Sequence, residues 1–353
     1  MPAALARVRP SITRNELAWL ATLPDVESRL IFVDRTAAQT RYRTETGPFD
    51  PEYLEVLPKR DWTLLVHDVE KHLPEMRALF GHVSFIPDWR IDDLMVSFAA
   101  PGGGVGPHRD HYDVFLCQGI GVRNWKFTRD DVLENPQASD DLSLLDEFTG
   151  EQDADTVEGD VLYLPPGVAH WGVSRRACMT YSIGMRAPQV GDFSSLLKKS
   201  AAITDDFYRD PDLTIDEARP GYIAEKAAKR ASALLDLPAA RQDDVARIIG
   251  EFATQPKDWL APECATPEEA EMLLDYLRKG GGLRVHGMTQ IAFDDRNVYV
   301  NGKNRELAQY HTALVADLCA NRVFRGSARK TDGAADLLRW LSCVGTFELP
   351  ENL

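Results

Sequence analysis

The chain has 353 residues with a formal net charge of -15, 44% hydrophobic and 27% charged side chains, proportions of an ordinary globular protein with room for two or three domains. No apolar run nears the ~18 residues of a membrane span and the N-terminus lacks a basic-then-apolar secretion signal, so a cytoplasmic protein with no membrane partner is expected. The acidic balance argues against nonspecific attraction to nucleic acid and is compatible with a basic polypeptide as partner.

From the N-terminus, residues 10–23 read as a helix: Thr13 and Glu16 fit a capping box, followed by apolar Leu17, Trp19 and Leu20. Arg29 to Val33 reads as a strand within a hairpin over 26–44, and Gly47-Pro48 marks a turn. Between Trp62 and Phe80, Leu65, Val69, Leu73 and Met76 recur at three-to-four spacing, which predicts a helix. In IDDLMVSFAAPGGG, from Ile91, alternation puts Asp93, Met95, Ser97 and Ala99 on one strand face and Leu94, Val96 and Phe98 on the other. Asp93 then either meets solvent at a strand end or lines a polar pocket.

The stretch PGGGVGPHRDHYDVF, Pro101 to Phe115, carries the chemistry. If it runs extended after Pro107, His108 and Asp110 point to one face. An imidazole and a carboxylate are two-thirds of the facial triad that holds non-haem Fe(II) and leaves positions open. His170, in EGDVLYLPPGVAHWG, follows a Pro165-Pro166-Gly167 turn and is the best second histidine. The frame is ambiguous, because His111 and Asp113 have the same spacing and would use the opposite face. The glycine run ahead of His108 favours His108 and Asp110, since it lets backbones approach closely.

In VRNWKF, Arg123 shares a face with Trp125 and Phe127, away from Asn124 and Lys126. A guanidinium among aromatics demands a carboxylate, either a small dicarboxylate co-substrate or a protein side chain. A long acidic loop runs on to about Thr156, and Cys178, Thr180, Ser182 and Gly184 share a face farther on. About eight short strands between Ile91 and Arg186 predict an antiparallel barrel or jelly roll of the cupin kind.

Residues 187–218 read as a connection with helical pieces. Over 219–255 the chain turns helical, with a stripe of Val245, Ile248, Ile249 and Phe252 that suits a dimer interface or a packing bridge. CATPEEAEMLLDYLRKGGG is a helix stopped by glycines, and Leu283 to Gly302 a hairpin turning near Asp294 to Asn297. A helix over 304–320 with Leu307, Tyr310, Leu314 and Leu318 inside, and a last one with Leu337, Leu338, Trp340 and Leu341, complete a winged-helix-like module. Its mixed charges do not favour DNA binding. Cys117, Cys178, Cys264, Cys319 and Cys343 lack the paired spacing of zinc or disulfide frameworks and are expected as buried free thiols.

Four segments, DWRIDDLMVSFAAPGGGVGPHRDHYDVFLCQG, VRNWKF, EGDVLYLPPGVAHWG and TYSIGMRAP, resemble the bacterial JmjC-type ribosomal oxygenases of the YcfD (RoxA) group. The likeness extends from about Ser11 to Pro188, and the remainder is similar to the family's helical dimerisation segment and winged helix. The implied fold class is α+β: a JmjC/cupin double-stranded β-helix over 1–190, a helical linker and dimerisation segment over 191–265, and a winged-helix-like domain over 266–353. The implied activity is 2-oxoglutarate-dependent, with Fe(II) and dioxygen: hydroxylation of an arginine β-carbon on the sixteenth ribosomal protein of the 50S subunit by a homodimer. By resemblance, His108, Asp110 and His170 are the iron ligands, which resolves the frame. Arg123 matches the residue that binds the distal carboxylate of 2-oxoglutarate, with Ser97 and Ser182 near the co-substrate. Asp93, Met95 and Tyr112 match the substrate-arginine pocket. The family pattern usually also carries a segment of the form W-x-[K/R]-R-P and a following strand, and the sequence starts after it, so either the start codon is set late or that edge of the outer sheet is lost; the metal site is unaffected. Lys126 stands where relatives often have arginine, on the face away from the pocket. Rival readings are histidine hydroxylation on another ribosomal protein, a non-catalytic cupin and winged-helix binding protein, and a zinc cupin, which gives Arg123 no purpose.

Overall fold

The computed structural model describes residues 1, 3–36, 40–129, 136–139, 142–145, 148, 150–194, 206–236 and 241–350. It divides into one unit of Met1–His82 with Ile91–Arg186 and another of Val83–Arg90 with Ala187–Leu353.

In the first unit, α1 (Arg14–Leu20) starts at the expected box: Thr13 Oγ1 accepts the Glu16 N–H and the Glu16 carboxylate accepts the Thr13 N–H. Leu17 and Leu20, three apart, are fully buried, whereas Trp19, off that row, stays 54% exposed. Strands β1 (Ser28–Arg35) and β2 (Thr40–Thr46) form the hairpin, and α2 (Pro51–Glu55) follows with Asp50 as its cap. The helix expected from Trp62 is not one. Trp62–Val66 is strand β3, buried along its whole length between β1 and β4 (Ile91–Ala99). Only the short α3 (Val69–His72) and a 3-10 run over Pro74–Val83 follow it. A strand covered on both faces shows a continuous apolar run, and the spacing from Leu65 to Met76 spans separate elements.

After β4 come β5 (His108–Arg109), β6 (Val114–Thr128), β7 (Pro136–Ser139), β8 (Leu142–Leu145), β9 (Gln152–Val157), β10 (Val161–Leu164) and β11 (Ala169–Met185). The main sheet is antiparallel in the order β10-β6-β11-β4-β3-β1-β2, with β5 on β11 and β9 on β6, while β7 and β8 form their own hairpin. This is the cupin jelly roll. DVFLCQG and VRNWKF lie on one strand, β6, which passes through Gly121 at φ +72° opposite bulges in β11. The end of the acidic loop is strand β9, whereas 130–135, 140–141, 146–147 and 149 lie outside the described residues. At the β10 edge, Met1 exchanges hydrogen bonds with Val161, and the Leu5 N–H donates to the Gly159 carbonyl.

The second unit holds 3-10 turns at Val190–Phe193 and Ile215–Glu217, then α4 (Glu225–Leu234) and α5 (Gln242–Thr254). Part of the connection expected over 187–218, residues 195–205, lies outside the described residues. There follow α6 (Pro267–Arg278), β12 (Gly282–Arg284), β13 (Ile291–Phe293), β14 (Asn297–Val300), β15 (Lys303–Glu306), α7 (Thr312–Asn321), β16 (Val323–Arg325), α8 (Ala328–Gly333) and α9 (Ala335–Cys343). Of the stripe on α5, Val245, Ile248 and Ile249 share a core with Phe193, Tyr208 and Tyr299, while Phe252 is half-buried outside it. The hairpin is β13 and β14, but Leu283 pairs through β12 with β16. Residues 303–306 form β15, α7 starts only at Thr312, and Tyr310 is 79% exposed rather than inside. Among the cysteines, Cys117, Cys178 and Cys319 are buried, Cys343 is half-buried and Cys264 is exposed.

Leu338 is fully buried among Leu273, Leu277, Leu318 and Leu341. Leu338→Ala should cost about 2–5 kcal/mol in denaturant unfolding of the full chain. A loss under about 1 kcal/mol would show that this core is looser than its packing implies.

Candidate metal centre

Strand register brings distant residues together. His170, the second residue of β11, pairs directly with His108 in β5, and their rings lie 4.2 Å apart. Asp110 follows β5 immediately, and its carbonyl accepts the Gly167 N–H, which ties it to the turn before His170. The ligand atoms of His108, Asp110 and His170 lie within 4.8 Å of one another, and His170 Nε2 is 3.6 Å from Asp110 Oδ2. The glycine run is needed for close approach: a Cβ on Gly103 would lie 2.1 Å from the Trp62 carbonyl oxygen, and one on Gly104 2.5 Å from that of Gly172.

Each histidine is oriented by a backbone carbonyl. His108 Nδ1 is 3.0 Å from the Gly106 oxygen and His170 Nδ1 is 3.0 Å from the Val168 oxygen. A carbonyl only accepts, so Nδ1 carries the proton and Nε2 of the neutral ring keeps its lone pair. Burial, with His108 beside it, pushes His170 well below the usual histidine range, so its imidazole stays neutral. Asp113 of the rival frame is engaged elsewhere, accepting a 2.6 Å hydrogen bond from the Tyr163 hydroxyl.

These three residues line a cavity of about 480 Å³ that also takes in Asp93, Met95, Ser97, Tyr112, Arg123 and Ser182. All nine site residues read from the sequence therefore border one space. The register explains it: in β11, Ser174 stands opposite Arg123 of β6, while Thr180, Ser182 and Gly184 stand opposite Ser97, Met95 and Asp93 of β4. Arg123 is buried, its Cζ 5.6 Å from the Trp125 ring centre, and its Nε and Nη2 have no hydrogen-bond partner among the described residues. The Ser97 hydroxyl is likewise buried without a partner among the described residues. Guanidinium nitrogens held away from water without an acceptor cost several kcal/mol, so this wall of the cavity is suited to an anion. Tyr112 is 38% exposed overall, but burial, then the charge of Asp110, raises its hydroxyl pKa so that it stays protonated.

Sequence reading missed Arg29, Leu65 and His67, which border the same cavity. The signal was hidden because the helix expected over Trp62 to Phe80 removed any strand face for Leu65 and His67.

A JmjC domain profile matches residues 78–193, and a ROXA-like winged helix profile matches residues 233–342. The chain is 33% identical over 301 residues to the ribosomal protein uL16 3-hydroxylase of Escherichia coli strain K12, covering 83% of this chain and 78% of that one. An X-ray structure of E. coli YcfD aligns over 99% of this chain and 93% of its own, with a TM-score of 0.71 and 27% identity. A structure of YcfD in complex with cobalt and 2-oxoglutarate aligns over 96% and 90%, with a TM-score of 0.66 and 28% identity. Fold, cavity and relatives agree, and the chain belongs to the JmjC-type ribosomal oxygenases of the YcfD (RoxA) group, a family of 2-oxoglutarate-dependent oxygenases.

Proposed function

We propose that the chain is an Fe(II)- and 2-oxoglutarate-dependent hydroxylase that acts on the β-carbon of an arginine in the sixteenth large-subunit ribosomal protein. One observation carries the reading: a buried guanidinium, Arg123, with two nitrogens lacking partners among the described residues, shares a cavity with a two-histidine, one-carboxylate cluster. The donor set fits a ferrous ion with positions left over, and the unpartnered Arg123 and Ser97 fit a diacid.

His108, Asp110 and His170 would hold the ion through Nε2, Oδ and Nε2. An ion so held, with 2-oxoglutarate and dioxygen, supplies oxygen activation coupled to decarboxylation of the oxo-acid. Arg123 would hold the distal carboxylate end, and Ser97 and Ser182 line the same cavity. Trp125, packed against Arg123 and 6.0 Å from the His170 ring, keeps water from that end and so strengthens the ionic contact. Asp93 pairs with the substrate guanidinium, Met95 and Tyr112 flank its stem, and together they set which carbon faces the metal. Residues 191–265 join two copies into a homodimer, and the substrate places the enzyme in the cytoplasm.

Asp93→Ala should lower kcat/KM for an arginine-bearing peptide about a hundredfold or more while 2-oxoglutarate binding is kept. Unimpaired hydroxylation would refute the pocket assignment, and preference for a histidine-bearing peptide would favour the rival reading of histidine hydroxylation.

A further inference from the structure

The carboxylate of Asp93 is held on one side by groups outside the His108, Asp110 and His170 cluster. Its Oδ2 lies 3.0 Å from His67 Nδ1 and 3.2 Å from the backbone nitrogen of Asp68. An ionised carboxylate only accepts, so both nitrogens donate to the same oxygen. Asp68 makes this possible at a conformational cost: its φ is +55°, a left-handed backbone that a non-glycine residue keeps only when its surroundings enforce it. Its side chain does not cap α3, whose N-cap position it occupies, and instead pairs with the buried ammonium of Lys71. Behind β4, the carboxylate of fully buried Glu70 accepts the Leu94 N–H at 2.9 Å, next to Asp93 in sequence. On the other side, Asp93 faces Gly184 across the β4–β11 ladder, and a Cβ there would lie 3.4 Å from Asp93 Oδ1. His67 and Gly184 both border the cavity.

We propose that His67 is a positioning residue: with the Asp68 N–H it fixes Oδ2 of Asp93, so that Oδ1, above the space left by Gly184, is presented to the incoming guanidinium. This rests on the proposed arginine substrate. It adds that the strength and angle of guanidinium capture are set from the β3–α3 turn, outside the metal strands. His67, donating from Nδ1, holds Oδ2 in place beside the Asp68 N–H, whereas an alanine leaves the carboxylate with one fewer donor. The effect falls on substrate capture and not on the metal or the co-substrate.

The test uses the full-length enzyme with Fe(II), 2-oxoglutarate and an arginine-bearing ribosomal peptide. In His67→Ala, KM for the peptide should rise about ten- to a hundredfold with a much smaller change in kcat, and the 2-oxoglutarate KM should stay within about twofold. His67→Asn, whose side-chain amide can stand where Nδ1 stood, should recover most of the loss. The effect of His67→Ala should also largely vanish in an Asp93→Asn background, because the two act through one carboxylate. A folded His67→Ala enzyme with unchanged peptide KM, an asparagine variant no better than alanine, or fully multiplicative effects with Asp93→Asn would overturn the inference. If the wild-type enzyme itself fails to hydroxylate the arginine peptide, the proposed function falls first, and the His67 inference falls with it.

Discussion

Asp110→Ala should abolish turnover, with a loss of at least about a thousandfold, corresponding to about 4 kcal/mol of barrier. Asp110 is the single carboxylate of the three-residue cluster, and its Oδ2 is within 3.6 Å of His170 Nε2. Without it, two imidazoles remain, and the proposed ferrous ion would lose the one carboxylate of the cluster. The measurement is succinate release together with the iron content of the purified protein, and both should fall. Asp113→Asn is the control for the rival frame. Asp113 is hydrogen-bonded to Tyr163, and its replacement should leave iron content unchanged. Iron retained in Asp110→Ala and lost in Asp113→Asn would move the metal to the other frame.

Arg123→Met should raise the 2-oxoglutarate KM by about a hundredfold or more, since truncating one partner of a buried charge pair costs about 2–5 kcal/mol. The methionine fills similar space and leaves the Trp125 face packed. The same substitution should leave the ligand-free protein at least as stable as wild type, because it removes a buried cation whose Nε and Nη2 have no partner among the described residues. Such a gain in stability with loss of function marks a site held strained for its ligand. Co-substrate titration and thermal unfolding of the two proteins check both parts. An unchanged KM, or a destabilised ligand-free variant, would mean that Arg123 serves the fold.

The site was legible in the sequence to the extent that its residues sit on strands with strict alternation. Asp93, Met95 and Ser97 share a face of β4, and Arg123 and Trp125 share one of β6, so period two alone grouped them. His170 could be placed because a Pro-Gly turn fixes where β11 begins. Which frame of the His-x-Asp repeat is used could not be read from spacing, because β5 is only two residues long and the fixing contacts come from the Gly167 turn. His67 and Leu65 were lost for another reason. A buried central strand shows no alternation, and the apolar run of β3 carried on into α3 at a helix-like spacing. In the second unit, helix positions followed from apolar stripes, but Tyr310 shows the limit: it matches the spacing of α7 and lies ahead of it, exposed.

The most direct test is the intact mass of the sixteenth large-subunit ribosomal protein from cells with and without the gene for this chain. The account predicts one added oxygen atom, located on an arginine β-carbon, that disappears with the gene and returns with the wild type but not with Asp110→Ala. Identical masses in all of these cells would contradict it.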